Sequence, residues 1–225
     1  MAVRYESFWS NEGMRLQAAF DLLLSSENPL DGVDALIWQS LETGARGNKH
    51  PWSIGCLMTI QKTGEKEYCP SGRTVVLRRC DVVARTIDFH TDVRSAKVKE
   101  IEWSEGAVCW LFYEPSTKIQ LRLHGVASVM NDEDADAAWE AVSLQSRSAY
   151  LSVDPPGQQR SSQQPPSTAD RLVSQLESER GRENFRLVRT RVQSADWLYL
   201  RQGGHVRASL AYSEERSTEV SWLVP

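Results

Sequence analysis

The 225-residue sequence has almost none of the short signatures that assign a chemistry outright. No uncharged apolar run approaches the ~18 residues of a membrane-spanning helix; the longest, Ala107 to Tyr113, is the length of a strand. The opening residues, MAVRYESFWSNEG, lack the basic-then-apolar pattern of a secretory signal. Cys56, Cys69, Cys80 and Cys109 form no C-x-x-C pair and have no histidine at zinc-finger spacing, so reduced thiols in a cytoplasmic protein without structural zinc are expected. His50, His90, His124 and His205 lie far apart and form no H-E-x-x-H pair. There is no G-x-x-x-x-G-K-[ST] phosphate loop, no G-x-G-x-x-G fingerprint and no G-x-S-x-G nucleophile elbow. Positive charge is in short supply too. With 26 basic and 30 acidic residues the formal charge is −4, which is against a protein that coats nucleic acid, because phosphate neutralisation supplies most non-specific affinity.

What is present reads as one domain over residues 1–225, with 40% hydrophobic and 25% charged residues. Residues 1–48 hold two helices. One runs from about Ser10 to Ser25 on Met14, Leu16, Phe20, Leu23 and Leu24; the other follows Asp31 on Leu36, Ile37 and Leu41 and ends at Gly44 and Gly47. Strands are predicted at 52–60, 73–80 and 84–91, with a turn-rich connection at 61–72. Asp92 is placed to cap a short helix through Val98 and Ile101, and the apolar run 106–113 predicts a strand buried on both faces. In 118–129, Ile119, Leu121 and Leu123 alternate with Gln120, Arg122 and His124, and Gly125 marks a bulge. That polar face is either solvated or lines a ligand groove.

Asn131 to Tyr150 predicts a helix with an acidic first turn. Residues 152–168 read as a mobile Pro/Gln/Ser-rich loop, followed by a short helix from about Ala169 to Gly181. Strands then return at 185–192, 195–202, 205–212 and 219–225, with Gly203-Gly204 as a hairpin turn. Strands outnumber helices without β–α–β alternation. The fold class expected is mainly β, a closed or split antiparallel barrel with peripheral helices. The eight tryptophans suit core packing or an interface.

The cations cluster on these strands. Arg73, Arg78 and Arg79 share one, Arg94 and Lys97 flank the next helix start, and Arg122 faces out from the long strand. Arg94, Ser95 and Lys97 lie where helix amides open toward an anion, which makes a phosphate clamp. Strand-edge charges that discourage aggregation are the alternative.

The stretches RTVVLR, DFHTD, RSAK, WLFYEP and IQLRLHG, in that order, with the terminal WLVP, resemble the pyridoxamine 5′-phosphate oxidase family of flavin-binding split barrels. The resemblance implies a homodimer with FMN in a cleft between subunits, and a small-molecule substrate with no nucleic-acid or membrane partner. Carried over by position, Arg73, Thr74, Val75 and Val76 would lie along the flavin. His90 and Thr91 stand at a Tyr-Thr pair that contacts it, and Ser95 and Lys97 lie in its phosphate signature. Ala96 replaces that signature's arginine, with Arg94 as the substitute. Gln120 would bond the flavin and Trp197 would lie beside it, a one-position shift giving Leu198 instead. Arg78, Arg147, His205 and Arg207 are the implied substrate contacts, and Arg78 or Arg207 would stabilise an anionic reduced flavin; the family's R-L-H-D-R string is replaced by HVRASL. The function implied is hydride transfer from a small substrate, such as a phosphorylated amine, to FMN, with dioxygen or a nicotinamide as acceptor. A flavin- or haem-binding barrel with a sensing, storage or carrier role is the alternative. Arg73 and Arg78, five residues apart, would face opposite sides of an ideal strand.

Overall fold

The computed structural model describes residues 16–27, 29–47, 50–65, 67–159, 174–213 and 217–225. Alternation builds the sheet. Along β5 (Ala107–Glu114) Val108, Trp110 and Phe112 are buried, and along β6 (Ile119–Val129) Ile119, Leu121 and Leu123 are buried. These faces meet Leu57 of β1 (Ile54–Lys62) and Ala195, Trp197 and Tyr199 of β7 (Phe185–Tyr199) in one core. Two helices cover it. From α1 (residues 16–24) Phe20 stacks on Trp197 at 4.9 Å, and from α2 (Pro29–Arg46) come Val33, Ile37, Trp38 and Leu41.

All strand pairs are antiparallel. With β2 (Tyr68–Val76), β3 (Arg79–Asp81) and β4 (Thr86–Asp92), the order is β2-β1-β5-β6-β7-β4-β3. On β7 also hangs β8 (Val206–Tyr212), and on β8 in turn β9 (Thr218–Leu223). The Gly203-Gly204 turn joins β7 to β8, both glycines having positive φ (87° and 132°), as the sequence predicts. The bulge also falls where predicted. Between His124 and Gly125 the β6–β7 register shifts, and a Cβ at Gly125 would stand 2.3 Å from the Arg191 carbonyl oxygen.

Several expectations are corrected. The single strand over 73–80 breaks at Leu77 and Arg78. Before the break β2 pairs with β1; after it β3 pairs with β4, at the opposite end of the sheet order. The turn-rich 61–72 already contains strand from Tyr68, and Pro70 is tolerated there because β2 is an edge. The strand 106–113 has one buried face; on the other Cys109 and Leu111 are half-buried and Tyr113 exposed. Strands expected at 185–192 and 195–202 are one continuous β7.

The helices shift as well. α2 starts at Pro29, so Asp31 lies inside it, and it runs through Gly44. The helix over 131–150 is broken into α4 (Asp132–Glu140), α5 (Leu144–Arg147) and a 3₁₀ turn, Ser148–Tyr150, because Ser143 caps a new start by accepting from the Ser146 amide. The short helix after Asp92 is α3 (Ala96–Trp103), and Ser95, not Asp92, holds its N-cap position. Residues 10–15 of the first expected helix, 160–168 of the expected loop and 169–173 of the helix after it lie outside the described residues; what is described of the last is α6 (Gln175–Ser178) with a 3₁₀ turn, Glu179–Asn184. These short helices make a lobe on the barrel, around Ala135, Trp139, Phe185 and Leu187.

Gly125→Ala forces backbone apart at the bulge and is expected to cost about 3 kcal/mol, a fall of roughly 6–12 °C in Tm. Gly47→Ala, where an added Cβ meets nothing within 4 Å, is expected to leave Tm unchanged in the same melting experiment.

Candidate functional site

The break at Leu77 places the end of β2 beside the end of β4, and α3 follows β4 directly. Between them and the 149–156 segment lies a cavity of about 400 Å³. Ile54, Thr74, Val75 and Val76 give one wall; His90, Thr91 and Asp92 give another, and Ala149, Tyr150 and Pro156 close a side. Arg73, Ser95 and Lys97 complete the lining.

One corner is made for an anion. Lys97 Nζ donates to Thr91 Oγ1 and to Ser95 Oγ, each at 3.1 Å, and the two hydroxyls stand 3.1 Å apart. Both hydroxyl residues are buried. The Ser95 side chain makes no cap bond to α3, since its hydroxyl turns to the Asp92 carbonyl, so the first amides of an eight-residue helix open on the same corner. Arg73 adds a second cation, held by Glu100 at 2.6 Å. Burial, and then the Arg73 charge, push the Lys97 pKa down. An incoming phosphate would relieve that crowding by neutralising both cations.

His90 behaves differently. Burial, and then the charge of Arg78, hold its pKa down at about 4, and its ring lies edge-on to Phe185 at 4.8 Å. The imidazole is therefore neutral at pH 7. Burial pushes the Tyr150 hydroxyl up to about 12, against the opposing Arg78 charge, so it stays protonated. Arg78 itself is exposed at the strand break; among the described residues it has no side-chain hydrogen bond or ion pair. The break also removes the objection that Arg73 and Arg78 face opposite ways, because they no longer share a strand.

Other predicted residues lie elsewhere. Arg94, expected to stand in for the arginine missing at Ala96, does not line the cavity. Its guanidinium is clamped on Asp92 at 3.0 and 2.7 Å and reaches the Val153 carbonyl at 3.2 Å. Arg147, expected as a substrate contact, is buried under Trp139 outside the cavity lining, with donors spent on the Val142 and Trp139 carbonyls and on Glu179, and it fastens the lobe. Trp197 is fully buried beneath Phe20; Leu198, on the opposite face, is half-buried. Gln120 pairs with Leu198, and Leu198 with Arg207, in one row across β6, β7 and β8. Neither Gln120 nor Arg207 lines the cavity of its own chain. Arg207 is clamped on Asp196 at 3.1 and 2.7 Å, and His205 is exposed beside the Gly203-Gly204 turn.

Sequence reasoning missed Tyr150, Asp92 as a wall residue, and Glu100. The spacing of Lys97 and Glu100 on a predicted helix signals that they share a face; nothing local signals that the Glu100 carboxylate meets Arg73 on β2.

Residues 35–131 match the family model described as pyridoxamine 5′-phosphate oxidase, FMN-binding domain. The chain is 33% identical over 138 residues to the pyridoxine/pyridoxamine 5′-phosphate oxidase 2 of Arabidopsis thaliana, covering 55% of this chain and 66% of that protein. The chain thus spans just under two thirds of that relative's length. Among solved structures, a pyridoxamine 5′-phosphate oxidase-related, FMN-binding protein of Nostoc punctiforme matches with a TM-score of 0.63 at 22% identity, over 85% of this chain and 96% of that one. PhzG of Burkholderia lata, solved with tetrahydrophenazine-1-carboxylic acid, matches with a TM-score of 0.59 at 18% identity, over 84% and 89%. These two similarities show the fold, a split antiparallel barrel.

Because His90 binds its proton less readily folded than unfolded, stability is full above pH 6.5 and falls as pH drops from 6.5 to about 4. The ceiling of that loss is about 3 kcal/mol. His90→Gln is expected to flatten the fall in Tm between pH 7 and pH 4; an unchanged slope would place the titrating group elsewhere.

Proposed function

We propose, for a chain whose residues 35–131 belong to the pyridoxamine 5′-phosphate oxidase FMN-binding domain family, that it is an FMN-dependent oxidoreductase acting on a small substrate. FMN is the cofactor that this family implies, and the anion corner fits its phosphate. The observation that carries the reading is Lys97, held by the buried hydroxyls of Thr91 and Ser95 and facing Arg73 across one cavity.

Bound FMN supplies a two-electron acceptor, reoxidised in this reading by dioxygen. The chain's own residues do the rest. Lys97, Thr91, Ser95 and the start of α3 hold the phosphate, and Val75, Val76 and Ile54 offer an apolar wall to the ring system. Neutral His90 adds no charge beside it. Arg78, exposed at the break, is placed to take an anionic group of the substrate or to favour an anionic reduced cofactor. Tyr150 and Pro156 shield one side from water.

The functional unit in this reading is a homodimer. Ile54, Val76, Tyr113 and Leu223 are exposed on the outward face of the sheet, at 48%, 38%, 46% and 37%, on the same face as the Gln120–Leu198–Arg207 row. Pairing two such faces buries that apolar row and brings Gln120 and Arg207 of one copy toward the cavity of the other. Four free cysteines support a cytoplasmic setting.

The reserve reading is a flavin carrier without turnover. The sealing of Arg147 favours it, since that residue offers no grip to a phosphorylated substrate. Incubation with pyridoxamine 5′-phosphate separates the two, because the oxidase releases an aldehyde and peroxide and a carrier releases neither.

The purified protein is expected to show the absorbance of oxidised flavin, to release FMN on denaturation, and to run at twice 25.4 kDa. Lys97→Met is expected to weaken FMN binding by roughly ten- to a hundredfold, while Arg94→Ala leaves it within about threefold. The opposite order would move the phosphate to Arg94.

A further inference from the structure

Glu100 lies on α3 three residues after Lys97, so the two side chains leave neighbouring positions on one face of the helix. Its carboxylate is buried, with 7% of the residue exposed. One oxygen accepts from Arg73 Nη2 at 2.6 Å and from Thr59 Oγ1 at 2.5 Å. The rest of the guanidinium is also engaged. Nη2 reaches Ser71 Oγ at 2.7 Å, and Nη1 bonds Thr59 Oγ1 and the Leu57 carbonyl. Both terminal nitrogens of Arg73 are thus committed toward Glu100 and its neighbours, although Arg73 lines the cavity.

A buried carboxylate beside an anion corner is electrostatically out of place for binding alone. It repels the ligand that Lys97 and Arg73 attract. In the chain without ligand it has a clear purpose, because it offsets two cations that otherwise crowd one another.

We propose that Glu100 is an internal counter-anion, which holds Arg73 until a phosphate ester arrives and competes with that phosphate for the guanidinium. Glu100 then sets how strongly the cavity prefers a phosphorylated flavin over the same flavin without its phosphate. The inference rests on the FMN reading above. No bond is made or broken; Arg73 exchanges one oxyanion partner for another.

Glu100→Gln keeps the shape and an acceptor for Arg73 and Thr59 but removes the charge. Wild type and variant are titrated with FMN and with riboflavin, read by quenching of flavin fluorescence. Affinity for FMN is expected to rise by about fivefold or more, while that for riboflavin moves by less than about twofold. Equal changes for the two ligands, or weaker FMN binding, overturn the proposal. A second pair of variants tests it independently. Arg73→Gln leaves the Glu100 charge unpaired beside the phosphate and lowers FMN affinity; adding Glu100→Gln is expected to restore about threefold or more. No recovery in the double variant overturns the proposal. A wild-type chain that binds neither flavin overturns the FMN reading and this inference with it. Wild-type binding with selectivity unmoved by Glu100→Gln overturns the inference alone.

Discussion

Leu77 and Arg78 carry the chain from one edge of the sheet to the other, and the site exists because they do. Their amides donate to the Ser53 and Asp88 carbonyls, each at 2.9 Å, so the crossing is tied to β4 on one side and to the turn before β1 on the other. The Leu77 side chain is buried. A sheet whose first and last strands are joined by two residues must bring those edges together, and a seam between edges leaves a gap that no ladder fills. The cavity is that gap. Arg73 to Val76 stand on one lip, His90 to Asp92 on the other, and the helix that starts after β4 points its amides into the corner.

Several arginines of the chain serve its architecture. Arg85 is clamped by Asp34 at 2.5 Å and lies between the Trp38 and Tyr212 rings, 5.0 Å from each. Arg189 meets Asp88 with two bonds, Arg122 and Arg207 share Asp196, and Arg147 is sealed with Glu179. Apart from Arg207 and Asp196 on the β7–β8 hairpin, each pair ties together elements that are distant in sequence, and each removes a guanidinium from the pool that could meet a ligand. Against that background, Lys97 on the cavity wall and Arg78 at the strand break stand out. Among the described residues, Lys97 makes its hydrogen bonds to hydroxyls, and Arg78 makes none with its side chain.

Much of this was legible locally. The alternation of Ile119, Leu121 and Leu123, the bulge at Gly125 and the Gly203-Gly204 turn are decided by side-chain period and backbone sterics within a few residues, and they appear as read. Thr91, Ser95 and Lys97 could be grouped because a strand end and a helix start lie within seven residues of one another. What local reasoning misplaced depends on distant partners. Arg94 and Arg147 look like free ligand arginines until Asp92, Glu179 and Trp139 are seen to consume them. Trp197 and Leu198 differ only in which face of β7 each occupies, and Phe20, far away on α1, decides which is covered. Strand breaks were equally hidden, since nothing in RTVVLRRC marks where one sheet edge ends and the other begins.

β7 gives the molecule a further property. Its 15 residues bond to β6 along nearly their whole length, to β4 over the first half and to β8 over the second. None of β6, β4 and β8 can detach without stripping bonds from this one strand. Loss of β7 would therefore unpair three strands at once. Because β7 follows β1 to β6 in the chain, those earlier strands wait for their common centre until it has been made.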